Sequence, residues 1–305
     1  MTTVKQQQHP AARAVAKPAP ARTIRSVGVV GAGTMGSGIA QAAALANFDV
    51  LLYDSSPEVL KGVLDRIKAD FRSAVERGRV DATDATGALS RIEVTRNIGE
   101  VGSTAFIIEA AVEDLAVKRE IFKKLDNIVL PDAILATNTS SLSVTSIAAL
   151  TKMPESVLGM HFFNPPTVMK LVEIVRGAAT SDDAVKVATD LAVRMNKTPV
   201  VCRDTPGFVV NRVARPFYGE ALRLLGEGVA PVEEIDRIVR LEGGFKMGPF
   251  ELMDLIGIDV NYAVTLSVYE QFFHDSRFRP HPIQRRMVEG GTLGRKTKKG
   301  FYTYP

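Results

Sequence analysis

Cysteine is almost missing from this chain: Cys202 stands alone among 305 residues. One thiol cannot close an intramolecular disulfide or build a multi-cysteine metal centre. It suits a reducing compartment, and a cytoplasmic location is expected. Histidine is scarce as well. None of His9, His161, His274 and His281 forms an i, i+4 pair with a carboxylate, so no metal site is expected. No apolar run approaches the ~18–20 residues that cross a bilayer, and no apolar segment near the start reads as a cleaved export signal. Acid is absent from residues 1–25, where Lys5, Arg13, Lys17, Arg22 and Arg25 supply +5. The whole chain carries +4, so the remainder holds −1. The basic balance therefore belongs to a tail, and no nucleic-acid-binding face is expected. Residues 1–23 have little to bury and are expected to be disordered. Pro10, Pro18 and Pro20 would interrupt the amphipathic helix of an organelle presequence.

What is present suits a soluble globular chain large enough for one big core or two domains: 46% hydrophobic and 24% charged residues. Structure is expected from Ile24. A β-rich run, Ser26 to Val30, leads into Gly31-Ala32-Gly33-Thr34-Met35-Gly36, then a helix over Ile39 to Ala46, then a second strand, Asp49 to Tyr53, ending at Asp54. A bare GxGxxG is weak, but between a strand and a helix, with an acid about 20 residues on, it is the full dinucleotide fingerprint. Gly31 allows the tight turn, Gly33 lets a pyrophosphate reach the backbone, and Gly36 lets the helix pack on the strand. Thr34 and Met35 open the helix whose N–H groups and dipole face the phosphates. Asp54 can accept both ribose hydroxyls and would repel a 2′-phosphate, which favours NAD over NADP.

The second centre is Leu158 to Arg176, LGMHFFNPPTVMKLVEIVR. It reads as strand, Pro-broken turn, strand, with the turn near Thr167. Equal spacing from Thr167 sets His161 opposite Glu173, and cross-strand neighbours lie ~4.5–5.5 Å apart at Cβ. A carboxylate that holds one ring nitrogen fixes the tautomer and favours the imidazolium, which is how a general base is built.

Between these centres the chain alternates strand and helix. A single helix is expected over 57–78, with Asp65, Arg66, Lys68, Arg72, Arg77 and Arg79 on a solvated, mostly basic face. Residues 81–98 are turn-rich. Buried strands follow at Ala105 to Ala111 and Ala133 to Thr137, with a helix at 114–129 between them. The pattern predicts a parallel sheet with right-handed crossovers, whose ligands sit at the strands' carboxyl ends. Gly31, Asp54, Glu113, Ser140 and His161 all fall at such ends. A helix at 182–195 and a strand at Thr198 to Cys202 close this part. Asp204-Thr205-Pro206-Gly207 then breaks the chain and offers a cap for a new helix. From 207 to 290 the spacing is helical, in five segments. The expected fold class is α/β: a Rossmann-type doubly wound, mostly parallel sheet over 24–204 plus an all-helical C-terminal domain over 205–305. Asn211, one turn into the first of those helices, could bond a ligand or orient Glu173. The segment Gly294 to Tyr302 reads as basic and mobile, a solvated charge run or a phosphate clamp.

GAGTMGSGIA, EAAVEDLAVK, NTSSL, HFFNPP, MKLVEI, DTPGFVVNR, MGPFELMDLIG and GRKTKKGFY, in this order over about 24–304, resemble the L-3-hydroxyacyl-CoA dehydrogenase family, most of all its short single-function members acting on 3-hydroxybutyryl-CoA. The resemblance implies NAD as cofactor, an acyl-CoA substrate, oxidation of a 3-hydroxyacyl thioester in fatty acid metabolism, and a homodimer through the C-terminal domain. It also implies roles: His161 as base, Glu173 as its partner, Ser140 near the substrate hydroxyl and nicotinamide, and Asn211 beside the pair. Glu113, Lys118, Asn164 and Lys296 fall at cofactor- or substrate-side positions. Pro166-Thr167 stands where the family commonly has Val-Pro, and Arg72 and Arg77 align only loosely with its acyl-CoA-binding cations. Two alternatives remain open here. One is a dehydrogenase of free 3-hydroxyacids, which commonly uses a lysine base; the centre has no lysine before Lys170. The other is a retired enzyme kept as a NAD-binding structural protein.

Overall fold

The computed structural model describes residues 24–305; the expected disordered tail, 1–23, lies outside them. Eight strands form one sheet: β1 (Ser26–Val30), β2 (Asp49–Tyr53), β3 (Ile92–Thr95), β4 (Phe106–Glu109), β5 (Ile134–Thr137), β6 (Val157–Phe162), β7 (Leu171–Arg176) and β8 (Thr198–Arg203). The order is β3-β2-β1-β4-β5-β6-β7-β8. Pairing is parallel from β3 to β6, antiparallel between β6 and β7, and parallel between β7 and β8. The order reverses at β1, so the fingerprint after β1 opens at the switch point where such sheets take ligands. β4 and β6 are buried at every position, as expected of strands covered on both faces.

Three local expectations are corrected. The helix at 57–78 is two: Pro57–Leu60, capped by the Ser56 hydroxyl, and Val63–Glu76. Gly62, at φ 77°, turns the chain between them, and Val63, Ile67 and Phe71 then bury one stripe. Residues 81–98 are ordered, with the helix Ala82–Ser90, edge strand β3 and the helix Ile98–Val101. β3 is four residues long and half polar, too short for a periodicity to show. Asp204 caps no C-terminal helix. Its Oδ2 accepts from the Thr145 amide at 2.7 Å and the Ser143 hydroxyl at 3.0 Å, and so fixes the helix Val144–Ala148.

Beyond β8 come the helices Val210–Gly226, Val232–Leu241, Pro249–Ile256, Ile258–Gln271 and Pro282–Glu289. Tyr218, Leu222, Ile235, Phe250, Met253 and Ile258 form a core of their own there. Among the described residues no single helix is long and apolar enough to cross a membrane.

The C-terminal segment is docked, not mobile. The buried Asp254 carboxylate accepts from the Phe301 amide (3.0 Å), the Tyr302 amide (2.9 Å) and the Tyr304 hydroxyl (2.9 Å). Asp236 accepts the Tyr302 hydroxyl at 2.9 Å. Substituting Asp254→Ala removes a charged acceptor from three donors. The expected cost is about 2–4 kcal/mol. It should appear as a lower melting temperature and faster tryptic cleavage at Lys298 and Lys299 in the folded protein.

Candidate active site

The fingerprint fits a nucleotide on its own geometry. Gly31 has φ 106°, and a Cβ there would lie 2.7 Å from the Ala110 carbonyl oxygen. A Cβ on Gly36 would lie 1.7 Å from the Gly31 carbonyl oxygen. Both glycines are demanded by the protein's own backbone. Gly33 is different: a Cβ there meets nothing within 4 Å, so its glycine leaves open space. The helix Thr34–Leu45 starts directly after Gly33 with no side chain capping it, which leaves the first N–H groups, with Thr34 and Met35 in the first turn, for an anion. Asp54 Oδ2 accepts from the Ala32 amide at 2.8 Å and Oδ1 from the Ser56 amide at 2.9 Å, so the carboxylate is fixed at the mouth of the turn. The residues present suit NAD.

The second centre forms as the spacing predicts. β6 and β7 pair with His161 opposite Glu173, and Nδ1 lies 2.7 Å from Oε2. His161 is 7% exposed and Glu173 fully buried. Glu173 Oε1 accepts from the Val209 and Val210 amides, both at 2.9 Å, at the start of the helix Val210–Gly226. One carboxylate thus joins the imidazole to the first helix beyond the sheet, at that helix's positive end. Burial pushes the Glu173 carboxyl up, but the bond from His161, the two amides and the attraction of an imidazolium outweigh it, and its pKa falls below the ordinary 4.5. With Nδ1 engaged, Nε2 is the ring nitrogen left to take a proton. Phe163 (centroids 4.5 Å apart) and Phe208 (5.9 Å, edge-on) flank the ring.

A third group links β4, β5 and the first C-terminal helix. Glu113 Oε1 accepts from the Thr139 hydroxyl (2.6 Å), the Ser140 amide (2.8 Å) and the Ser140 hydroxyl (3.1 Å). Asn211 Nδ2 donates to the Ser140 carbonyl at 3.2 Å. Asn211 therefore holds the Ser140 turn; the orienting of Glu173 falls to two backbone amides. Asn138 Oδ1 accepts from the Phe162 amide at 2.9 Å, which ties the same turn to the strand that carries His161.

Lys118 is fully buried, with Nζ 2.8 and 3.0 Å from the Glu109 oxygens and 3.6 Å from Glu113. It braces the Glu113 turn from inside rather than presenting its charge at the surface. Lys296 lies apart from these groups, paired with Asp259 at 2.5 Å in the helical region. Asn164 is exposed just past β6.

Three contributors escaped the sequence reading. Glu109 also accepts from Thr137 Oγ1 at 2.6 Å, and its signal was a lone acid inside the apolar run FIIEAA. Lys197 Nζ donates to the Pro166 carbonyl and, at 2.9 Å, to the Met169 carbonyl, pinning the β6–β7 turn; burial and the nearby Lys170 charge lower its pKa to about 8. Phe208, at φ 48°, packs on His161 from a junction that no periodicity marks. Cys202 is no nucleophile at neutral pH, because burial, with the Glu173 and Asp204 charges, pushes its thiol up to about 12. No cluster of three metal-ligating side chains occurs among the described residues.

Residues 26–205 match the family model "3-hydroxyacyl-CoA dehydrogenase, NAD binding domain", and residues 207–304 match its "C-terminal domain". The chain is 48% identical over 281 residues to the 3-hydroxyadipyl-CoA dehydrogenase of Escherichia coli K12, covering 92% of this chain and 59% of that protein's length. It is 44% identical over 281 residues to a probable 3-hydroxybutyryl-CoA dehydrogenase of Bacillus subtilis 168, covering 92% of this chain and 98% of the other. The crystal structure of (S)-3-hydroxybutyryl-CoA dehydrogenase from Ralstonia eutropha superposes with a TM-score of 0.88 at 40% identity, over 93% of this chain and 100% of that one. With a nucleotide turn, a buried histidine–glutamate pair and a helical region all lying within those matches, the chain belongs to the NAD-dependent 3-hydroxyacyl-CoA dehydrogenase family.

Proposed function

We propose that this protein oxidises (S)-3-hydroxyacyl-CoA, with 3-hydroxybutyryl-CoA foremost, to the 3-oxoacyl thioester, using His161 as general base. The observation that carries this is the 2.7 Å His161–Glu173 pair at the carboxyl end of β6. NAD, when bound on the Gly31–Gly36 turn, supplies the acceptor for the C3 hydride. His161 Nε2 takes the hydroxyl proton as the C3 carbonyl forms. Glu173, held ionised by two helix amides, fixes the tautomer and stabilises the imidazolium. Ser140 and Asn211 orient the substrate oxygens, with Glu113 and Lys118 holding the Ser140 turn in place. Asp54 selects NAD through the ribose, and Gly33 lets the pyrophosphate approach. Asn164 and Lys296 are assigned to the rim of the cleft.

Residues 24–204 are read as the nucleotide-binding domain and 205–305 as the substrate and dimerisation domain. A homodimer is supported by exposed apolar side chains in the helical region, among them Val213 (70%), Leu241 (71%) and Phe245 (54%). A cytoplasmic enzyme of β-oxidation type, with no nucleic-acid or membrane partner, completes the reading. The test is NADH absorbance on mixing with NAD and 3-hydroxybutyryl-CoA. Turnover should fall sharply with NADP or with free 3-hydroxybutyrate. Equal rates on the free acid would remove the thioester assignment.

A further inference from the structure

The last turns of the helix Thr34–Leu45, the chain after the helix Val63–Glu76, the β6–β7 turn and the turn before β8 enclose a cavity of about 410 Å³. Ala42, Leu45, Val80 and Met195 give it an apolar floor. Every charged residue lining it is a cation: Arg79, Lys170, Arg194 and Lys197. In a chain whose charge is balanced beyond its first 25 residues, four cations without a lining carboxylate are a local concentration. Two are occupied by structure. Lys197 pins the turn through Pro166 and Met169, and Arg194 donates to the Ile24 carbonyl with its guanidinium over the Phe48 ring. The other two are exposed and lightly held. Lys170 reaches the Asn196 carbonyl at 3.3 Å, and no hydrogen bond or ion pair engages the Arg79 guanidinium among the described residues.

The cavity adjoins the active site through shared segments. Thr167 and Lys170 lie on the turn that joins the strand of His161 to the strand of Glu173. Ala42 lies two turns along the helix that begins at the fingerprint. We infer that this cavity takes the phosphate-bearing end of the acyl-CoA substrate, with Arg79 and Lys170 meeting phosphate and the apolar floor meeting the base. The inference rests on the acyl-CoA reading above and gives it a location. Coenzyme A carries three phosphates and an adenine. A cavity with apolar floor and cationic rim matches both, and charge-assisted bonds to phosphate are the stronger class.

The test is calorimetric binding of coenzyme A, pantetheine and NAD to the full chain and to Arg79→Gln/Lys170→Gln. The double variant should bind coenzyme A about tenfold or more weakly, with pantetheine and NAD affinities held. Because both positions are exposed, the single Arg79→Gln gives a second reading, expected at about threefold. The affinity of the wild-type protein for coenzyme A should fall with salt more steeply than that for pantetheine. Unchanged coenzyme A affinity in the folded double variant overturns the inference, as does a matching loss for pantetheine or NAD. Absent turnover of 3-hydroxybutyryl-CoA together with the expected loss of coenzyme A binding would sink the dehydrogenase reading and leave this site standing.

Discussion

His161→Gln is expected to lower kcat by about 10²–10⁴-fold while leaving NAD affinity within a factor of two. Glutamine fills most of the ring's space and can still reach Glu173, so the buried carboxylate keeps a partner. What it lacks is a nitrogen able to accept the hydroxyl proton. The fingerprint turn that holds NAD is fixed by other groups: Asp54 on the Ala32 amide and Gly36 against the Gly31 carbonyl. Binding and turnover should therefore separate. Steady-state rates with 3-hydroxybutyryl-CoA and a fluorescence titration of NADH measure the two. A variant within tenfold of wild-type turnover removes His161 as the base. A variant that loses NADH binding makes it structural.

Glu173→Gln should cost a similar factor in turnover for a different reason. The amide can still accept from the Val209 and Val210 amides through its oxygen, so its NH₂ would face His161. A donor there forces Nδ1 to accept, which puts the ring's proton on Nε2, the nitrogen that must take the substrate's. The expected loss is about 10²–10⁴-fold, the scale on which a wrong tautomer disables a histidine base. Stability should fall by about 1–2 kcal/mol, since a negative charge leaves the N-terminal end of the helix Val210–Gly226. The pH dependence has a definite sign. The folded protein holds this carboxyl below its ordinary 4.5, so its contribution is complete above that value and is lost as pH falls through the lower, folded-state pKa. Acid unfolding of the wild-type protein should carry this slope below about pH 4.5, and the variant should lack it. Equal slopes would show that the charge does no such work, and near-normal turnover would free the histidine from its partner.

The two centres were legible for one reason: each is written in consecutive residues. The fingerprint lies in one strand–turn–helix, and a hairpin's pairing follows from counting outward from its turn, so His161 and Glu173 could be matched before any coordinates. Recognition of the family rested on the same kind of local text, eight motifs in order. Misreadings came where a residue's partner is remote. Asp204 caps a helix some 60 residues earlier, near Thr145. Asn211 turned to Ser140 instead of Glu173. Gly294 to Tyr302 read as loose because its charges are visible in sequence, whereas the acids that hold it, Asp236 and Asp254, are not near it in the chain.

The sequence by itself determined the nucleotide turn, the alternation that makes a parallel sheet, the facing of imidazole and carboxylate, and the family. These depend on short-range spacing and on backbone demands that only particular residues meet. Tertiary structure alone decided which polar groups share a buried environment: Glu109 with Lys118, Glu173 with the helix that starts at Val210, and four cations around one cavity. Those assignments turn on how distant strands and helices are stacked, because a buried charge is stable only beside whatever partner the packing brings to it.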